Sequence, residues 1–169
     1  MLERIDGIEG IGRVRLGSLD PSFIKRDVAK RLSEIKCLAP HFHLSLQSGS
    51  STVLAKMKRR YTAEGAMRVI NEIRENIDGA TFTTDLMVGF PGESEEDFLE
   101  TLDFVRKAEF LDAHVFAYSR REGTPAANYE GQIPEAVKRD RSERLIKAKN
   151  EVREKLLQRI VDGKKPLSV

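Results

Sequence analysis

The feature that most constrains the fold is a regular alternation, between residues 13 and 119, of short β-branched runs with amphipathic helical stretches. This alternation is typical of repeated strand-helix units around a parallel sheet or barrel. We predict strands over residues 13–18, 41–47, 81–88 and 113–118. Four such strands are too few to close an eight-stranded barrel, so we expect an α/β chain that forms the C-terminal part, about four βα units, of a larger barrel.

Helices are predicted after each of the first three strands. They cover residues 23–35, 53–60, 62–76 and 94–108, and the last begins at Ser94 with an acidic first turn that suits the helix dipole. A further helix should run from a first-turn Pro134 to a stop at Gly163, about 28 residues or about 40 Å. We therefore divide the chain into a partial barrel, residues 1–126, and a loop with a long helix, residues 127–169, leading towards a further domain whose first strand would begin in residues 164–169.

Composition limits the classes of protein that this chain can belong to. With 169 residues, 40% of them hydrophobic, the chain can bury a core as one globular domain. It has no apolar run of membrane-spanning length and no signal peptide, so we expect a cytoplasmic location and no membrane partner. The single cysteine, Cys37, excludes an internal disulfide and a metal site built from several cysteines of this chain. The net charge of +2 permits an RNA partner without requiring one.

Candidate ligand-binding residues lie where the predicted strands end, because ligands in βα folds bind at the carboxyl ends of the strands. Three stretches qualify: residues 47–51, 85–93 and 118–124. In the second, Gly89-Phe90-Pro91-Gly92-Glu93 would allow close approach of the backbone to a flat or phosphate-like ligand. A tight turn without a ligand is the alternative reading of the same residues.

Two polar side chains stand out in these stretches. Gln47 ends its strand, and its amide could hydrogen-bond a ribose hydroxyl or cap the following helix. Asp85 lies in an otherwise apolar and threonine-rich strand, where a carboxylate is unfavourable unless it is paired or bound to a ligand.

The histidines are weaker candidates. His41 and His43 share a strand face and could chelate a metal, but they begin their strand, and His43 would lie about 13 Å from Gln47. His114 and Cys37 are interpreted as packed residues rather than ligands.

Four ordered segments carry a family resemblance: HFHLSLQSGS over residues 41–50, MKRRYT over 57–62, TDLMVGFPGE over 84–93 and VFAYSRREGTPA over 115–126. Together they resemble the radical S-adenosylmethionine (SAM) methylthiotransferases, over nearly the whole chain. Within that family the sequence looks most similar to the branch that methylthiolates N6-threonylcarbamoyladenosine beside the tRNA anticodon. Sister branches act on isopentenyladenosine in tRNA or on an aspartate of a ribosomal protein.

The resemblance implies a six-stranded partial TIM-like barrel, of which this chain would supply strands three to six. It also implies SAM and 4Fe–4S clusters as cofactors of the full-length protein, whose CxxxCxxC cluster loop would precede this chain. An RNA-binding domain would follow Val169. The chain alone is therefore expected neither to cleave SAM nor to transfer sulfur.

The resemblance further implies which residues hold SAM. Gln47 and Asp85 match ribose-contacting positions, and Arg59 matches an arginine that meets the methionine carboxylate, so we predict that these three side chains line one pocket. The backbone of Gly89, Phe90, Pro91 and Gly92 would contact the adenine. Phe116 or Tyr118 could stack nearby.

The implied partner of the full-length protein is the anticodon loop of tRNA. Its backbone could meet basic residues at 56–60, at 120–121, or on a basic helix face made by Lys138, Arg139, Arg141 and Arg144, although solvated helix faces explain the last set equally well. The bare barrel edge could also support dimerisation. Two other functions stay open: another radical-SAM enzyme, such as an oxygen-independent coproporphyrinogen oxidase-like protein, and a non-catalytic binding module.

Overall fold

A four-stranded parallel sheet forms the centre of the fold, with β1 (Val14–Leu19), β2 (Leu38–Gln47), β3 (Thr81–Val88) and β4 (Asp112–Ala117) side by side in chain order. The computed structural model describes residues 1–24 and 26–163. The four predicted strands are confirmed. β2 begins three residues earlier than predicted, at Leu38, because that residue pairs with Val14 of β1.

Helices connect the parallel strands and extend the chain beyond the last one. They are α1 (Leu2–Asp6), α2 (Arg26–Ser33), α3 (Ser51–Lys56), α4 (Ala63–Asn76), α5 (Glu95–Ala108) and α6 (Glu135–Val161). Two helix starts follow the predicted capping chemistry, since Thr62 caps α4 and Ser94 caps α5. No helix in the described ranges is long and apolar enough to cross a membrane.

Two predicted helices are shorter than expected. The chain after β1 first makes a 3-10 turn, Pro21–Phe23, because the Asp20 carboxylate accepts a hydrogen bond from the Ser22 N–H at 2.8 Å. α2 then follows as a separate helix. α3 ends at Lys56 instead of residue 60, since Lys58 adopts a left-handed backbone with φ +57°.

The two faces of the sheet have different environments. One face packs against the helices, and its buried side chains, such as Phe42, Phe82 and Leu86, meet Ile70 of α4 and Phe98 of α5 in one hydrophobic core. The opposite face, which we call the open face, is covered by no helix of the described residues and is half-buried or exposed. Its side chains are Arg15, His41, His43, Ser45, Thr83, Asp85, Met87, His114 and Phe116.

α6 is 27 residues long and packs alongside α5 and β4. Leu145 and Leu156 are buried, while Lys149 bridges to Asp112 at 2.6 Å. Pro134 is the residue before the helix rather than its first turn. The predicted strand in residues 164–169 lies outside the described residues, and the domain boundary at residue 126 stays a prediction.

Candidate cofactor-binding site

The carboxyl edge of the sheet collects most of the predicted site residues. Gln47 is the last residue of β2, where its backbone takes φ +74°, and Ser50, not Gln47, precedes the first turn of α3. Asp85 lies within β3 on the open face, and Phe116 lies on the same face of β4. The loop that follows β3 contains Gly89-Phe90-Pro91-Gly92-Glu93.

Asp85 is paired, as an acidic residue in such a strand requires. Its Oδ2 lies 3.2 Å from Nε2 of His43, and the two side chains keep 32% and 24% of their surface exposed. Sequence reasoning considered His43 only as an improbable metal ligand and did not predict this contact with Asp85. The contact forms because the parallel register places β2 and β3 side by side, with His43 opposite Thr83.

Arg59 lies near the carboxyl end of β1. Its Nη1 is 3.9 Å from Oδ2 of Asp20, the residue that follows that strand, and about a third of the Arg59 side chain is exposed. Tyr61 fixes the neighbouring end of β2, since its hydroxyl donates to the carbonyl oxygens of Ser45 and Leu46, each at 2.9 Å. Arg59 and Gln47 thus belong to the same edge of the sheet.

A cavity of about 400 Å³ opens at this edge, above β3 and β4. Its lining residues are Met87, Phe116, Ala117, Tyr118, Ser119, Arg121, Thr124 and Ala126. Gln47, Arg59 and Asp85 are not among them, so their grouping in one pocket stays a prediction.

The glycine-rich loop after β3 is folded against its own chain. Gly89 and Gly92 have φ of +72° and +75°, conformations that favour glycine. The Gly89 N–H donates to Oε2 of Glu93 at 2.7 Å, and the Gly92 N–H donates to the Gly131 carbonyl at 2.9 Å. Lys56 donates from its ammonium group to the Gly92 carbonyl. The contribution of this loop to adenine binding stays a prediction, and these two N–H groups already have partners.

The predicted aromatic residues differ in accessibility. The Phe90 and Tyr118 rings pack edge to face with their centroids 5.4 Å apart, and the Tyr129 ring lies 6.2 Å from that of Phe90. The Tyr118 side chain is buried. Phe116 stays half-buried on the open face, 5.7 Å from the His114 ring. Of the two rings proposed to stack near the adenine, Phe116 is the more accessible.

Sequence reasoning missed the residues that support this loop. Lys138 and Arg141 belong to the basic helix face that was interpreted either as one possible RNA contact or as a solvated surface, but both side chains are buried. Arg141 Nη1 donates to Oε2 of Glu93 at 2.7 Å and to the Glu93 carbonyl at 3.1 Å, and Lys138 Nζ donates to the Tyr118 carbonyl at 3.0 Å. The spacing held a signal, because these residues continue at helical intervals the buried side of α6 that includes Leu145.

Glu93 is itself almost fully buried. Burial raises the pKa of its carboxyl group, although the Gly89 N–H and the Arg141 guanidinium act in the opposite direction. The carboxylate therefore joins the loop to α6 from inside the protein.

The hydrogen-bonding groups at this edge suit SAM. A carboxylate at Asp85 can accept hydrogen bonds from ribose hydroxyls, and a partly exposed guanidinium at Arg59 can bind a carboxylate with two parallel hydrogen bonds.

The described residues do not offer ligands for a 4Fe–4S cluster. Cys37 is buried just before β2, at the opposite end of the strand from Gln47. The hydrogen bond between the Cys37 thiol and the Asp6 carboxylate, together with burial, raises the pKa of the thiol. This disfavours the thiolate form that binds metals. The described residues contain no group of three or more metal-ligating side chains.

Comparison with known proteins agrees with this arrangement. The family model described as the radical SAM superfamily matches residues 2–105. The tRNA-2-methylthio-N(6)-dimethylallyladenosine synthase of Clostridium tetani is 45% identical over 155 residues, covering 92% of this chain and 34% of its own length. The synthase of the same name from Caldicellulosiruptor saccharolyticus is 43% identical over 152 residues, covering 90% of this chain and 32% of its own length.

The chain thus spans about a third of the length of the curated relatives that it matches. Among solved structures, coproporphyrinogen III oxidase from Escherichia coli, described as a radical SAM enzyme, superposes with a TM-score of 0.62 at 20% identity, over 86% of this chain and 32% of that one. At this identity the likeness concerns the fold alone. The family match covers more than half of the chain, and the chain therefore belongs to the radical SAM superfamily.

Proposed function

We propose that this chain is the SAM-binding portion of a radical-SAM tRNA methylthiotransferase, which adds a methylthio group to a modified adenosine beside the anticodon. The observation that carries the proposal is the 45% identity to a named tRNA methylthio-adenosine synthase over 92% of the chain. The fold and the hydrogen-bonding groups at the carboxyl edge of the sheet support it.

The branch of the family decides the substrate. The sequence motifs favoured threonylcarbamoyladenosine, whereas the relatives reported above are named for dimethylallyladenosine. Both substrates are adenosines that carry a large group on N6. We propose an N6-modified adenosine of tRNA as the substrate class and leave the group on N6 to experiment.

The residues of this chain would bind and orient SAM. SAM, together with a 4Fe–4S cluster as its reductant, would supply the radical chemistry of the reaction. Asp85 and Gln47 would accept or share hydrogen bonds with the ribose, and Arg59 would bind the methionine carboxylate. Phe116, on the open face, would lie against the adenine.

The order of side chains on the open face supports this proposal. Asp85 and His114 are opposite each other in the β3–β4 pairing, and Met87 is opposite Phe116, so polar and apolar groups succeed each other towards the carboxyl edge. That order suits a nucleoside, whose ribose needs hydrogen bonds and whose base needs an apolar surface.

The SAM site is tested by calorimetric titration of the chain with SAM. Arg59→Gln should weaken binding about tenfold, since a hydrogen-bonded charge pair is lost. Arg60→Gln is the matched control, because Arg60 lines a groove between α2 and α4 on the helical side and should leave the affinity unchanged. Equal losses in the two variants would contradict the assignment of Arg59.

The activity and its substrate are tested by removing the gene that encodes this chain and analysing tRNA nucleosides by mass spectrometry. The proposal predicts loss of one methylthio-adenosine and accumulation of its precursor. Loss of the dimethylallyl form would assign the branch of the named relatives, and loss of the threonylcarbamoyl form would assign the other. An unchanged nucleoside profile would refute the proposed activity and favour a binding module.

We also propose a cytoplasmic location, which the proposed tRNA substrate supports. Dimerisation through the exposed sheet edge stays a proposal, which the mass of the protein in solution would test.

A further inference from the structure

A continuous chain of hydrogen bonds crosses the open face between β2 and β3. His41 lies between two threonines, with Nδ1 2.9 Å from Oγ1 of Thr81 and Nε2 3.2 Å from Oγ1 of Thr83. His43 continues the chain, with Nδ1 3.0 Å from the same Thr83 oxygen and Nε2 3.2 Å from Oδ2 of Asp85. We call these five side chains the ladder.

The chemistry of its members gives the ladder a direction. An ionised Asp85 only accepts hydrogen bonds, so His43 must donate from Nε2. A neutral His43 then accepts at Nδ1, and the single hydroxyl hydrogen of Thr83 must point to it. The Thr83 oxygen can in turn only accept, from Nε2–H of His41.

The same reasoning fixes the far end of the ladder. With its hydrogen on Nε2, a neutral His41 accepts at Nδ1 from the hydroxyl of Thr81. Each of the four contacts then has one donor and one acceptor, in one consistent order that runs from Thr81 to the Asp85 carboxylate.

We propose that the ladder is a directional hydrogen-bond relay that orients the Asp85 carboxylate, so that His43 is a positioning residue for SAM. The positioning role rests on the proposed SAM site, whereas the relay itself rests only on the geometry of the five side chains. Neither the strand position of His43 nor its sequence spacing from Gln47 indicates this role.

The ladder has a second consistent order. When His43 is protonated, its Nδ1–H donates to Thr83, whose hydroxyl must turn towards Nε2 of His41. His41 then carries its hydrogen on Nδ1 and donates to Thr81, which can donate onward to the Pro40 carbonyl at 3.5 Å. Protonation next to Asp85 therefore changes the tautomer of His41, two rungs away.

The charges around the ladder keep its two histidines distinct. Burial lowers the pKa of His41, and the positive charges of Arg15 on β1 and of His43 lower it further. Asp85 on β3 faces His43, and His114 on β4 lies opposite Asp85 in the strand pairing. The surroundings of His41 therefore differ from those of His43, and they favour a neutral His41.

Nitrogen-15 NMR of the histidine rings in the whole chain, recorded as the pH is lowered, tests the relay. We expect His41 to change from the Nε2–H to the Nδ1–H tautomer in the same step in which the His43 ring becomes protonated. Thr83→Val, which keeps the shape and removes the hydroxyl, should abolish that change. Thr52→Val, at an exposed position of α3, should leave it intact. A His41 tautomer that ignores His43 protonation in the unmodified chain would overturn the proposal.

Titration with SAM separates the relay from the proposed site. His43→Leu should weaken SAM binding about tenfold, and His43→Gln, which retains a donor near Asp85, should restore most of the affinity. In an Asp85→Asn background, His43→Leu should have little further effect. If Asp85→Asn weakens binding and His43→Leu does not, the positioning role is refuted. If neither changes SAM affinity while His41 still switches, the assignment of Asp85 to SAM fails and the relay stands.

Discussion

Arg141 of α6 and Glu93 of the loop after β3 form a buried ion pair, with Nη1 and Oε2 2.7 Å apart and side-chain exposures of 6% and 1%. The same Glu93 oxygen accepts the N–H of Gly89. The guanidinium also lies 5.6 Å from the centre of the Phe98 ring, which encloses it further. The long helix therefore supports the loop that carries the candidate adenine contacts.

Removal of Arg141 should strongly destabilise the protein, because it leaves the Glu93 carboxyl group buried without its partner. Arg141→Met, which keeps most of the aliphatic side chain, should lower the free energy of unfolding by about 3 kcal/mol or more in urea denaturation. Arg144→Met on the same helix removes more exposed pairs to Glu95 and Asp140 and should lower it by less than about 1 kcal/mol. Similar losses in both variants would show that the buried pair has no special role.

Gly89 should not tolerate a side chain. Its φ of +72° is unfavourable for alanine, and a Cβ there would collide with Cγ of Lys138, which is close to the α6 backbone and cannot move freely. Gly123→Ala is the control, because Gly123 has φ +80° and no atom lies within 4 Å of the added Cβ. This variant should therefore lose only the stability that the backbone strain costs, about 1 kcal/mol. Thermal unfolding should show a clearly larger loss of stability for Gly89→Ala. Equal losses would mean that Lys138 and α6 shift to make room for the added Cβ.

Tyr61 should make the stability of the chain sensitive to alkaline pH. Burial raises the pKa of its hydroxyl to about 12. Because the folded state holds this proton more tightly than the unfolded state, the contribution is complete below about pH 10 and is lost as the pH rises towards 12. Tyr61→Phe should lower stability by about 1 kcal/mol at pH 7 and should flatten this part of the pH profile, measured by denaturant unfolding. If Tyr61→Phe still lost stability between pH 10 and 12, another group would be responsible for that loss.

Asp97 should contribute stability that is lost in acid. Burial alone would raise its pKa, but hydrogen bonds from the Ser94 N–H at 2.9 Å and the Ser50 hydroxyl at 2.7 Å outweigh this effect and lower it. The contribution is therefore present above the unfolded pKa of about 3.9 and disappears as the pH falls through the folded value. Asp97→Asn should lower stability by about 1 kcal/mol at pH 7 and by less in acid.

Asp103→Asn serves as the control for that experiment. Asp103 lies on the same helix, and its pair with Lys107 is exposed, so its replacement should have little effect at either pH. If Asp103→Asn showed the same pH dependence, the net charge of α5 rather than the cap would explain the result.

Much of the fold follows from local sequence. The β-branched runs and the turns between them predicted all four strands, and Thr62 and Ser94 marked the starts of α4 and α5. The prediction succeeded where it depended on local periodicity and on capping side chains, because those effects act between residues a few positions apart.

What the sequence by itself determined is the order of strands and helices, the family, and the positions of Gln47 and Asp85 on their strands. Only the tertiary structure decided that His43 meets Asp85 across two strands, 42 residues apart in the chain, and that Arg141 reaches Glu93 over 48 residues. Strand register and the packing of α6 bring these pairs together. Which partner a buried charged residue meets therefore depends on residues far away in sequence, and no local pattern identifies that partner.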